Sequence, residues 1–180
     1  CPGGYTLHFE GSTELPLLAA DPYSGKYAFW SNKGDESATV LQREFDFTQV
    51  AGPIEMTYHT WYEIENGYDY LYLEATTDGE HWQVLNTPSG TSRDPYGNSY
   101  GWGYTGSSKG WIEETVDLSQ FAGKRLQLRF EYITDDGATG AGMLLDDVSV
   151  PAVDYRTDFE AGDGGWQAAS CCSCRSSASG

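Results

Sequence analysis

Basic residues are scarce in this 180-residue chain: ten Lys and Arg stand against 27 Asp and Glu, giving a net charge of -17. A field of that sign repels nucleic acid and anionic membrane surfaces and favours cations. No apolar run approaches the ~20 residues of a membrane span, and no secretory leader is present, so Cys1 reads as a processed or trimmed end. Helical periodicity is almost missing. Cysteine is missing from the middle of the chain: Cys1 stands alone, and Cys171, Cys172 and Cys174 cluster in a Ser-rich tail. The fold therefore needs no internal disulfide, although these four cysteines are candidates for a tail tied back to Cys1 or for pairing between chains in an oxidising compartment. The Cys-Cys-x-Cys cluster lacks the paired spacing of a zinc site.

What is abundant is aromatic residues and glycine, with 13 Tyr, 6 Trp and 22 Gly. That composition excludes a disordered chain and points to an all-β domain rich in turns. Short β-rich runs recur at residues 7–10, 26–31, 38–47, 54–63, 111–118 and 125–132. In the last of these, Leu126, Leu128, Phe130 and Tyr132 alternate cleanly with polar residues. Tyr68 to Ala75 and Trp82 to Leu85 flank Asp78-Gly79, a strong hairpin cue. Residues 119–123 read as a turn. The expected architecture is a jelly-roll-like antiparallel β-sandwich over residues 1–152. Residues 153–180 then read as a C-terminal extension. Its Phe159-Glu160 echoes Phe9-Glu10, which suggests a truncated repeat, a linker or a strand given to a neighbouring chain.

The stretch Gly142-Met143-Leu144-Leu145-Asp146-Asp147-Val148-Ser149-Val150 poses the sharpest problem. It reads as a central strand, yet two carboxylates interrupt it, and a bare buried carboxylate costs several kcal/mol. Strict alternation puts Asp146 on one face with Leu144, Val148 and Val150. A cation or several donors would answer the problem, and calcium takes six to eight oxygens gathered from loops and strand ends. Oxygens available for it are Glu10, Asp21, Ser24, Asn32, Asp35 and Asp146. The alternative is that Glu10 and Asp146 face solvent or pair with Arg129. A second acidic group comprises Asp135, Asp136 and Asp147, with Glu63, Glu65 or Asp69 as further candidates to join it.

Residues 86–110 form a Gly/Ser/Tyr/Asn loop long enough to call for a role. Tyr96, Tyr100, Trp102 and Tyr104 on it are candidates for stacking on a glycan or a protein partner. Glu63 and Glu65, two apart on one strand and thus roughly 6–7 Å apart, carry little weight as a glycosidase pair. Ser/His/Asp hydrolysis has no support either.

An ordered series of motifs carries a family resemblance. It runs through Ser24-Gly25, Trp30-Ser31-Asn32-Lys33-Gly34-Asp35 and Trp61-Tyr62-Glu63-Ile64-Glu65-Asn66-Gly67-Tyr68-Asp69-Tyr70. Thr77-Asp78-Gly79 with Trp82, Gly103-Tyr104-Thr105-Gly106 with Gly110-Trp111, Val116-Asp117-Leu118, Arg129-Phe130, Thr134-Asp135 and Asp146-Asp147-Val148 continue it. Over residues 5–150 the chain resembles the non-catalytic β-sandwich that follows the protease domain in secreted bacterial immune inhibitor A-type metalloproteases. That domain is similar to MAM domains and to carbohydrate-binding jelly rolls. The resemblance implies a secreted, commonly calcium-stabilised accessory module with no catalytic activity of its own. First and last strands of such folds lie together, which implies Glu10 beside Asp146. The protease motif His-Glu-x-x-His is absent: none of His8, His59 and His81 is followed by Glu. The expected function is adhesion or structural assembly. Self-assembly through a C-terminal strand, and glycan binding for a secreted hydrolase, are the alternatives.

Overall fold

A computed structural model describes residues 18–172. In chain order the strands are β1 (Phe29–Trp30), β2 (Ser37–Asp46), β3 (Glu55–Ile64), β4 (Tyr70–Thr76), β5 (Gln83–Val84), β6 (Gly106–Ser107), β7 (Ile112–Asp117), β8 (Arg125–Ile133), β9 (Gly142–Val150), β10 (Tyr155–Thr157) and β11 (Gln167–Cys172). Two single 3-10 turns, Ser119–Phe121 and Pro151–Val153, are the only helical elements among the described residues. The strands form two antiparallel sheets, so the expected all-β sandwich is the fold. The first sheet runs β1-β9-β3-β6, with β7 also on β3 and β10 also on β9; the second runs β11-β2-β8-β4-β5.

Alternation decides which side chains meet between the sheets. On β8, Leu126, Leu128, Phe130 and Tyr132 are buried, and the residues between them are exposed or half-buried. They pack with Phe45, Phe47, Met56, Tyr58, Leu71 and Leu73 in one continuous core. The Asp78-Gly79 hairpin forms as its sequence predicts. Glu74 pairs with Val84, Gly79 has φ of 77°, and the Asp78 carboxylate accepts the N–H groups of Glu80 and His81.

The C-terminal segment differs from the expected extension. Strand β10 pairs with β9, and β11 pairs with β2 of its own chain along residues 37–42. Between them Phe159 meets Phe29 edge-on at 4.8 Å, and Trp166 packs against Phe45 and Phe130. Trp166 is only 1% exposed. A boundary at residue 152 would strip this indole from the core, and its apolar area explains why the segment returns to the sandwich. Glu10, Cys1 and Cys174 lie outside the described residues. Cys171 and Cys172 fall within β11.

Candidate metal centre

Strand β9 departs from strict alternation, and the departure reassigns Asp146. His59 pairs with Asp146 and Thr57 with Ser149, so Tyr58 alone opposes Asp147 and Val148. This β-bulge places Asp147 in the left-handed region, at φ of 48°. The phase of β9 shifts at that residue. Met143, Leu145, Val148 and Val150 join the core, whereas Leu144 and Asp146 are buried outside it. Asp146 therefore does not share a face with Val148 and Val150, as unbroken alternation would have it.

Backbone N–H groups meet the buried Asp146 carboxylate. Its Oδ1 accepts from Asp147 N at 2.8 Å and its Oδ2 from Ser24 N at 3.1 Å. The Ser24 hydroxyl donates to Asp147 Oδ1 at 3.2 Å. Burial raises the Asp146 pKa and the Asp147 charge adds to this, while the N–H donors of Ser24, Asp147 and Tyr23 oppose it. The segment holding Ser24 is fixed at three further points. Tyr23 stacks on His59 with ring centroids 3.6 Å apart, and Trp111 Nε1 donates to the Asp21 carbonyl. Glu160 Oε1 accepts from Lys26 N at 2.6 Å and Tyr27 N at 2.8 Å. Sequence reasoning noticed Glu160 only as an echo of Glu10, and its role as an anchor shows in the fold alone. Of the other oxygens expected here, Asp35 is exposed, and Asn32 Oδ1 accepts the adjacent Lys33 N–H.

Three strand ends at one end of the sandwich build a different cluster. Glu65 follows β3, Asp69 precedes β4 and Asp135 follows β8. The turn between the first two is fixed by Asp69 N donating to Glu65 O, by Thr105 Oγ1 donating to the same carbonyl, and by Gly67 N donating to Thr105 Oγ1. One ligand oxygen from each of Glu65, Asp69 and Asp135 lies within 4.8 Å of the others, the one such acidic group among the described residues. Asp69 is fully buried. It accepts from Asp135 N at 2.9 Å and from the Tyr132 hydroxyl at 3.4 Å. Asp135 accepts from Gly137 N and from the Asn98 amide. Glu65 Oε2 is buried with no partner at all. Backbone comes close here: a Cβ on Gly137 would lie 3.0 Å from Asp135 Oδ1 and 3.5 Å from Glu65 Oε2.

Electrostatics matches that shortfall of donors. The Asp69 carboxyl is pushed up to about 6, first by burial and then by the charges of Asp135 and Glu65, against the opposing hydrogen bonds. None of the ion pairs among the described residues includes any of the three. The donor set is all oxygen, with no nitrogen or sulfur, which suits a hard divalent cation. The sequence expected Asp135, Asp136 and Asp147 together, but the fold separates them. Asp136 is exposed, Asp147 belongs with Ser24 and Asp146, and Asp135 meets Glu65 and Asp69.

The long loop mostly folds back. Tyr104 is buried, and its hydroxyl bonds to those of Tyr58 at 2.6 Å and to Glu114 at 3.1 Å, so it is a core residue. Trp102 is half-buried with its Nε1 donating to Thr87 O. Tyr96 and Tyr100 do project, at 58% and 65% exposure, and Tyr96 stacks on Tyr68 at 4.1 Å. Sequence reasoning misses one spacing on this loop: Gly106-Ser107-Ser108-Lys109-Gly110 is a Gly-x-Ser-x-Gly. No helix follows it, and the Ser108 hydroxyl accepts from Tyr62 N and donates to Tyr62 O, so it builds no nucleophile elbow.

Residues 16–167 match the family model described as immune inhibitor A-like, MAM domain. The chain is 37% identical over 140 residues to immune inhibitor A of Bacillus thuringiensis subsp. alesti, covering 77% of this chain and 19% of that protein. It is 27% identical over 153 residues to the pre-pro-metalloprotease PrtV of Vibrio cholerae serotype O1 (strain M66-2), covering 83% of this chain and 16% of that protein. Bacillopeptidase F of Bacillus subtilis (strain 168) is 24% identical over 99 residues, 54% of this chain and 6% of that protein. The chain thus spans less than a fifth of the length of these curated relatives, as an accessory domain does. It belongs to the immune inhibitor A-like MAM domain family.

Proposed function

We propose that the domain is a non-catalytic, calcium-stabilised accessory module of a longer extracellular protein. The observation that carries the reading is the Glu65–Asp69–Asp135 cluster, three carboxylates at a strand-end junction, Asp69 buried and the other two half-buried, with the buried Glu65 Oε2 left without any donor. Glu65, Asp69 and Asp135 would hold the ion. Its charge would offset the burial and the neighbouring carboxylate charges that raise Asp69, and would tie the ends of β3, β4 and β8 together. An extracellular place is supported by the likeness to a relative named as a pre-pro precursor and by the strongly acidic surface. Isothermal titration with calcium tests the reading. One bound ion in the wild-type domain, lost in Asp69→Asn, is the expected result; no binding by the wild type overturns it.

A further inference from the structure

The outer face of the five-stranded sheet carries a row of planar polar groups that the core does not use. Leu41, Phe45, Leu126, Leu128, Phe130, Leu71 and Leu73 face the interior, so the residues alternating with them project outward. The register sets Gln167 beside Gln42, Gln42 beside Arg129, and Arg129 beside Glu74. One line of amide, amide, guanidinium and carboxylate therefore crosses four strands, roughly 14 Å at the usual strand spacing. Glu44 and Gln127 are paired in the next row. Exposure declines along the line, from exposed Gln167 through half-buried Gln42 and Arg129 to buried Glu74. The face is a shelf, open at β11 and closed at β4.

Both ends of the shelf are shaped. At the open end a cleft of about 300 Å³ is lined by Gln42, Arg43, Glu44, Gln127, Gly165 and Gln167. Arg43 only edges this cleft: its guanidinium turns to the other face of β2, 5.0 Å over Phe45 and 4.0 Å over Tyr155, where Nη1 donates to the Gly164 carbonyl. At the closed end Arg129 is held in one orientation. Its Nε donates to Glu74 at 2.6 Å, its Nη2 donates to Glu131 at 2.9 Å, and its guanidinium lies 4.0 Å over the Trp82 ring. The Nη1 hydrogens are not used in these bonds.

We propose that this shelf binds an uncharged oligosaccharide. Amides, a carboxylate and a fixed guanidinium offer paired donors and acceptors in set planes, which is what adjacent sugar hydroxyls require. Because Arg129 is already immobilised, little ordering is left to oppose binding. Charge selects against other partners: Glu44, Glu74 and Glu131 on the face, with a net charge of -17, repel phosphates and sulfated chains. A protein partner is matched by apolar anchors at the centre of a patch, and here the centre is glutamine with one Trp at the rim.

The test is titration of the whole chain with cellohexaose and N-acetylchitohexaose, with a heparin hexasaccharide and a lysine-rich peptide as charged comparators. The expected result is saturable binding of at least one uncharged probe and no binding of heparin. Gln42→Ala with Gln167→Ala should weaken that binding about tenfold, from the loss of two hydrogen-bonding amides. Glu55→Ala, exposed on β3 of the other sheet, should leave it unchanged, and the circular dichroism spectrum should be the same for all variants. Binding of neither uncharged probe overturns the proposal. So does binding undiminished in the double variant, or binding of the lysine peptide alone.

Discussion

Two groups of carboxylates sit in the same sandwich, one within β9 and the other where β3, β4 and β8 end, and they are solved differently. Asp146 is fully buried, yet each of its oxygens faces a backbone N–H, and Asp147 beside it receives the Ser24 hydroxyl. Glu65, Asp69 and Asp135 place three carboxylates within 4.8 Å and leave Glu65 Oε2 with nothing. The first group uses negative charge to hold a peptide segment across β9 and β3. The second gathers more negative charge than its donors can offset. Proximity of acids in a sequence does not separate these cases; the supply of N–H donors does.

The largest effect should come from Asp146→Ala. It leaves the half-buried N–H groups of Ser24 and Asp147 without their acceptor and frees the segment that Tyr23 anchors. Two hydrogen bonds to a charged group amount to about 3 kcal/mol of unfolding free energy, read by urea titration. The loss should be the same in calcium and in EDTA, and an effect confined to calcium would erase the contrast between the two groups.

Asp69→Asn should separate the conditions. In EDTA it removes one of three repelling charges while keeping an acceptor for Asp135 N, so stability should hold or rise by up to about 1 kcal/mol. In calcium the variant should lose the stabilisation that the ion gives the wild type. Lower stability than wild type in EDTA would show that the charge on Asp69 is not a liability there.

A pH series sharpens the same point. With its folded pKa near 6 against an ordinary 3.8, Asp69 binds more protons in the folded than in the unfolded state between those values. Ion-free stability should therefore rise as pH falls through about 6 and level off below the ordinary value. With calcium present, protons compete for the same oxygens, so the calcium-dependent increment should shrink over that window. Asp69→Asn should flatten both trends. The smallest effect is expected of Ser24→Ala, about 0.5 kcal/mol or less, since Ser24 N keeps its bond to Asp146 and only the half-exposed hydroxyl is lost.

Much of the fold was legible because alternation and turn chemistry are local. The Leu126 to Tyr132 pattern and the Asp78-Gly79 hairpin each declare themselves within a few residues. Two features were hidden because they depend on partners far along the chain. The bulge at Asp147 is set by pairing with Tyr58 and His59, and no count along β9 alone reveals it. Trp166 falls in the expected C-terminal extension, yet its indole completes the core beside Phe45 and Phe130. The candidate metal centre was half legible. Asp135, Glu65 and Asp69 were among the acids singled out, but only the meeting of β3, β4 and β8 ends chooses them over Asp136 and Asp147. The ring count in the long loop likewise did not say which rings turn inward, and Tyr104 does so to bond Tyr58 and Glu114.

The most direct measurement is the melting temperature of the wild-type domain in excess EDTA and in excess calcium. A carboxylate cluster short of donors predicts a rise of several degrees in calcium, absent in Asp69→Asn and retained in Asp146→Ala at its lower baseline. Equal melting temperatures for the wild type in the two conditions would contradict it.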